Sequence, residues 1–132
     1  MDLDVINTAA SALLAERMRM DTIAANIANA HTTRDANGDV NPYHRKTVNF
    51  QSILDAQNKV TGVQGVVEED QAEMKRIYDP GHPDANEEGY VLYPNVSTEQ
   101  EMVDMLSAKA SYEANLKTIQ VTKQMFNSAL DI

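Results

Sequence analysis

The stretch "LDVINTAASALLAERMRMDTIAANIANA" (residues 3–30) contains no glycine or proline and is rich in alanine and leucine. Ile6, Leu13, Met20 and Ile27 recur every seven residues, with Ala9, Ile23 and Ala30 at the intervening positions. Propensity and pattern therefore agree on one helix. Its 28 residues would span about 42 Å at the rise of an α-helix, which is long for a chain of 132 residues.

A second helix is expected over 98–130. Overlapping capping boxes, Ser97 to Gln100 and Thr98 to Glu101, mark its entry. Met105, Tyr112, Ile119 and Phe126 repeat at sevens, and Met102, Leu116 and Leu130 share the alternating position with Lys109 and Lys123. A further set, Val103, Leu106, Ala110, Val121 and Met125, widens the apolar surface beyond one narrow seam. A helix apolar over so much of its girth needs more than one neighbour.

Between the helices the character changes. "TTRDANGDVNPYHRKTVNF" (32–50) begins with turn formers and then alternates as a strand does. Strands are expected near 44–50, 62–68, 72–78 and 89–93, with "QSILDAQNKV" (51–60) as a short helix or a loop. The fold class is α+β: two long terminal helices around a small β-rich insert, divided as 1–31, 32–97 and 98–132.

Composition narrows the function. A formal net charge of −9 argues against nucleic acid, which needs a basic surface to neutralise phosphates, and against anionic membrane surfaces. The chain has no cysteine, so disulfides, thiolate catalysis and Cys-based zinc sites are excluded. No apolar run is long enough for a transmembrane helix. The amino terminus opens with Asp2 and Asp4 and lacks the basic-then-apolar order of a secretory signal. Any export is therefore expected to need no cleaved signal. Seven methionines suit adaptable apolar surfaces.

Candidate chemistry is sparse. In "DPGHPDAN" (79–86), His82 and Asp84 offer two ligands where a metal site needs three or four. Pro80 and Pro83 fix φ and Gly81 permits a positive one, so the stretch reads as consecutive turns, a joint rather than a ligand site. "DANGD" (35–39) starts like a calcium loop, but glycine is not at its sixth position and Lys46 stands where the closing glutamate belongs. Asn95-Val96-Ser97 matches the short glycosylation sequon, although capping already explains Ser97. No nucleophile elbow or phosphate-cradling loop occurs, and His31, His44 and His82 lie in separate contexts. Catalytic, metal and cofactor-binding residues are therefore read as none, and no enzyme is expected. Asn26 and Asn29 lie on one side of the first helix near its end. Two readings stay open for them, a helix stop or a contact with a neighbour.

Those asparagines carry a resemblance. "MDTIAANIANAHTT" (20–33) is similar to the amino-terminal signature of flagellar axial rod and hook proteins, an Asn-apolar-Ala-Asn element followed by Thr. "YDPGHPDANEEGYVLYPNV" (78–96), running into the last helix, and "YHRKTVNF" (43–50) resemble more narrowly the proximal-rod members. The family elements there include Pro80, Gly81, His82, Pro83, Asp84, Gly89, Tyr90, Pro94 and Asn95. The likeness covers nearly the whole chain. It departs at Lys109 and in a longer, more polar loop over 31–42.

The resemblance implies a structural subunit of the bacterial flagellar basal-body rod, exported through the flagellar type III apparatus without a cleaved signal. Such a subunit lies in the periplasmic space and partners copies of itself and other rod proteins. The terminal helices would pack as an inner coiled coil and the insert would form an outer domain. Ile6, Leu13, Met20 and Ile27 would face Met105, Tyr112, Ile119 and Phe126, with Ile23 on the same surface. Leu106, Leu116, Val121 and Met125 would meet other subunits. The contrasting reading is a soluble helical adaptor or export chaperone.

Overall fold

The computed structural model describes residues 3–131. Its elements are α1 (Leu3–Ala28), β1 (Lys46–Leu54), β2 (Val60–Glu69), β3 (Lys75–Tyr78), β4 (Tyr90–Tyr93) and α2 (Thr98–Leu130). The strands form two separate antiparallel hairpins, β1–β2 and β3–β4. The expected insert is thus two small sheets, held by what lies beside them, because an isolated hairpin is marginal in water. Residues 51–60 form neither a short helix nor a simple loop. Strand β1 continues to Leu54, and a tight turn leads into β2.

One device makes three of the turns. Asp35 Oδ1 accepts the Asn37 and Asp39 amides at 3.0 and 3.1 Å. Asp55 Oδ1 accepts those of Gln57 and Lys59 at 2.8 and 2.9 Å. Asn86 Oδ1 accepts those of Glu88 and Tyr90, both at 2.9 Å. In each, the residue three positions on has positive φ: Gly38 at 82°, Asn58 at 60° and Gly89 at 85°. An Asx side chain stands in for backbone, and glycine or asparagine accepts the left-handed angle. "DANGD" is one of these turns, closed by the Arg34–Val40 bridge.

α1 and α2 run antiparallel. Asn26 meets Glu101 near the elbow, while Thr8, Ala9 and Ala12 line a groove with Asn115 and Thr118 at the far end. On α1 the buried residues include Ala9, Glu16 and Ile23, seven apart, with buried Ala30 continuing the spacing in the turn just past the helix, beside half-buried Ile6, Leu13, Met20 and Ile27. On α2, buried Glu101 and Ala108 and half-buried Asn115 and Thr122 alternate with half-buried Met105, Tyr112 and Ile119. The alternating position of α2 therefore lies one residue before the expected Met102, Leu116 and Leu130, all of which are exposed. Size misled the pattern: where two helices approach closely, alanine is covered before leucine.

α2 is the longer helix, 33 residues against 26. At equal rise, Leu3 comes level with about residue 124 of α2. Met125, Phe126 and Leu130 extend beyond the described part of α1, and all three are exposed.

The β1–β2 hairpin lies against the other side of α1. Ser11 Oγ accepts the Val63 N–H at 3.0 Å, covering part of the outer edge of β2, which would otherwise stay open for unwanted pairing. Two glycines allow the approach. A Cβ on Gly62 would stand 2.7 Å from Ser11 Oγ, and one on Gly65 would stand 2.9 Å from both Met18 Sδ and Val48 Cγ1.

Candidate functional site

The polar residues of the chain converge where α1 ends, β1 begins and α2 starts. Asn26 is fully buried and its amide is saturated. Nδ2 donates to the Lys46 carbonyl at 2.8 Å and to Glu101 Oε2 at 3.2 Å. Oδ1 accepts the Lys46 N–H at 3.0 Å and the Tyr43 hydroxyl at 2.9 Å. By taking both backbone groups of Lys46, the side chain acts as one rung of a β-ladder. Helix α1 is thereby fastened to the open edge of β1.

Asn95 repeats the device. Its Oδ1 accepts the Arg45 N–H at 2.8 Å, while Nδ2 donates to the carbonyls of Asp70 and Ala72 at 3.2 and 3.0 Å. It thus bridges the β1 approach and the β2 exit, and both ends of its amide are engaged. The Arg45 guanidinium gathers three acids: Glu101 through Nε, Asp70 at 2.9 Å and Asp104 at 3.6 Å. Glu101, 1 % exposed, is a buried charge made tolerable by its partners.

The second capping box consequently does not form. Ser97 is the N-cap of α2 and accepts the Gln100 N–H at 3.4 Å, but Glu101 turns inward to Arg45. The electrostatics follow the contacts. The Asp70 carboxyl lies below its ordinary value, first through the Ala72 N–H and then through Arg45. Tyr43 is pushed up by burial and by the charge of Glu101. Burial alone would lower the Arg45 pKa; Glu101 and Asp70 reverse that and raise it.

A smaller clamp sits beside this knot. Asp84, its side chain 4 % exposed, accepts the Thr33 hydroxyl at 2.5 Å and pairs with Arg34. His82 Nδ1 accepts the Asp84 N–H at 3.0 Å, which puts the proton of the neutral ring on Nε2. The Tyr93 ring receives His31 and His82 edgewise, with centroids 6.1 and 6.0 Å away. Pro80, Gly81 and Pro83 shape the turns around it, in which the His82 N–H bonds the Asp79 carbonyl and the Ala85 N–H bonds that of His82, both at 3.1 Å. Gly89 lies beneath the Tyr78 ring, Tyr90 packs edgewise on Tyr78, and Pro94 is buried. His82 and Asp84 therefore tie the loop after α1 to the return strand.

Asn26, near the end of α1, and Asn29, just past it, have separate jobs. Asn26 is the contact. Asn29 stops the helix: its Nδ2 donates to the Ala25 carbonyl at 2.9 Å and its Oδ1 accepts the Thr32 hydroxyl at 3.1 Å. Arg45, Asp70 and Tyr43 escaped the sequence reading, and Glu101 entered it only as a cap. The available signal was a glutamate seven residues before Ala108, on what proves to be the covered face of α2.

Among the described residues, no three His, Asp or Glu side chains come together as a metal-binding group. No described helix is long and apolar enough to cross a membrane. The arrangement can hold segments at fixed angles.

Comparison with known proteins agrees with this geometry. The family model for flagella basal body rod proteins matches residues 6–34, and that for the carboxy-terminal part of flagellar basal body rod FlgEFG proteins matches 87–132. The matches cover α1 with its asparagine element, and the return strand with α2, which is the class of flagellar rod proteins. Relatives along the whole length are more particular. The flagellar basal-body rod protein FlgC of Bacillus subtilis is 44 % identical over 96 % of this chain and 95 % of its own length. That of Borreliella burgdorferi is 41 % identical over 96 % and 94 %, and that of Salmonella typhimurium 39 % identical over 98 % and 96 %. The chain belongs to the FlgC family of flagellar basal-body rod proteins.

Proposed function

We propose that the chain is a structural subunit of the flagellar basal-body rod, adding to a hollow shaft by packing its terminal helices against those of neighbouring subunits. The observation that carries the reading is the uncovered side of α2. Leu106 is 68 % exposed, and Val103, Leu116, Val121, Met125 and Phe126 are exposed with it on a helix that outruns its intramolecular partner. Burying one leucine contributes roughly 1.5–3 kcal/mol, so a few such residues suffice for a firm contact. Head-to-tail contacts between unlike surfaces build filaments where their rotation does not close into a ring.

In this reading 1–31 and 98–132 form the inner coiled-coil layer and 32–97 the outer part. Ile6, Leu13, Met20 and Ile27 pair within the subunit with Met105, Tyr112 and Ile119, whereas Phe126, expected in the same row, lies past the described part of α1 and faces a neighbouring subunit instead. The Asn26–Arg45–Glu101 knot sets the angle between the layers, so that twist applied to one passes to the other. Partners are copies of the chain and other rod proteins, reached in the periplasmic space through the type III export apparatus without a cleaved signal. Replacing Leu106 with Asp tests this. The isolated subunit should melt within about 2 °C of the unchanged chain, since exposed sites cost little, while rod incorporation and motility are lost. Normal motility in that variant overturns the proposal.

A further inference from the structure

Position 16 breaks the pattern of its own helix face. Ala9, Ile23 and Ala30 are buried apolar residues, and the remaining member of that seven-residue series is Glu16, 5 % exposed. Its Oε2 accepts no hydrogen bond from any described group. Arg19, one turn along, approaches only to 3.6 Å, beyond hydrogen-bonding distance. Glu101, the buried acid on the facing helix, has Arg45 and Asn26 as partners; Glu16 has only the longer ion pair to Arg19 on its own helix.

The surroundings supply no other compensation. The level of α2 opposite Glu16, measured from the Asn26–Glu101 contact, is about residue 111, where Ser111 and Tyr112 are half-buried and Lys109 and Glu113 are exposed. Gly65 of β2, which Ala15 and Met18 approach, and Val48 of β1 beside it bring no charge. Arg19 is the charge that acts on the carboxyl.

We propose that Glu16 is a protonation-controlled weak rung of the α1–α2 pairing: ionised, it loosens the first half of α1 from α2, and neutral, it lets the pair close. Burial raises the Glu16 pKa, and Arg19 offsets this only in part. A folded value above the unfolded one, about 4.3, means the stabilising contribution is complete below that pH. It is lost as pH rises through the raised folded value.

The test compares the full chain with Glu16→Gln and Glu16→Leu by thermal unfolding from pH 4.5 to 8 and by hydrogen exchange of the α1 amides. Asp70, Asp84 and Glu99 shift the other way, so the difference between variant and unchanged chain is the quantity to read. At pH 7.5 Glu16→Gln should raise Tm by about 3 °C or more and slow exchange around residues 10–20, with the gain shrinking towards pH 4.5. Glu16→Leu should also be more stable at pH 7.5, and the exposed control Glu113→Gln should show no pH-dependent difference. The proposal is overturned if either Glu16 variant is less stable than the unchanged chain at pH 7.5. It is equally overturned if the gain of Glu16→Gln is the same at pH 4.5 and 7.5.

Discussion

Replacing Asn26 with alanine removes one amide and strands four partners at once. The Lys46 N–H and C=O, the Tyr43 hydroxyl and Glu101 Oε2 all lose a bond of 2.8 to 3.2 Å. Tyr43 is half-buried and Lys46 is exposed, so water can restore part of that loss. Glu101 is sealed in. An unsatisfied buried polar group costs about 1–3 kcal/mol, more when charged, which puts the whole change at about 3 kcal/mol. For a domain of this size that is about 10 °C in Tm. Asn26→Asp should be worse at neutral pH, because it removes the donors and sets a second carboxylate against Glu101. Urea and thermal unfolding followed by circular dichroism read the loss, with Asn29→Ala as the comparison. Asn29 bonds only within its own helix end, so its loss should cost below about 1 kcal/mol. If the two alanine variants cost the same, Asn26 does not hold the joint.

Gly65→Val should destabilise by about 2 kcal/mol, because its Cβ would meet Met18 and Val48 at 2.9 Å; an unchanged urea midpoint would mean that α1 does not rest on β2. Asp84 is held below its ordinary value by the Thr33 hydroxyl and then by Arg34. Its stabilising contribution is present at neutral pH and is lost as pH falls from about 4 through the lower folded value. The gap in Tm between the unchanged chain and Asp84→Asn should therefore narrow in acid, and a gap constant from pH 2 to 6 would refute the clamp.

Local chemistry wrote the elements into the chain. The seven-residue spacing around Ile6 and Met105, the cap at Ser97 and the turn residues at 35–39 and 79–86 act over a few neighbours, and the helices and hairpins lie close to where those residues put them. The asparagine element and the run around His82 also carried the family, which the relatives bear out. Partnership between distant residues was beyond their reach. Nothing near Glu101 announces that Arg45 will neutralise it, and "DANGD" looks the same whether it holds an ion or folds on itself.

What the sequence determined alone is what short-range forces determine: period, caps, turns and the terminal helices. Tertiary structure decided which of two adjacent heptad positions on α2 is covered, that Asn26 completes a strand edge while Asn29 ends a helix, and that Glu101 finds partners from other elements and Glu16 only Arg19 of its own helix. Those outcomes depend on how closely two backbones approach and which polar groups meet across the gap, and both emerge only when residues as far apart as 26 and 101 come into contact.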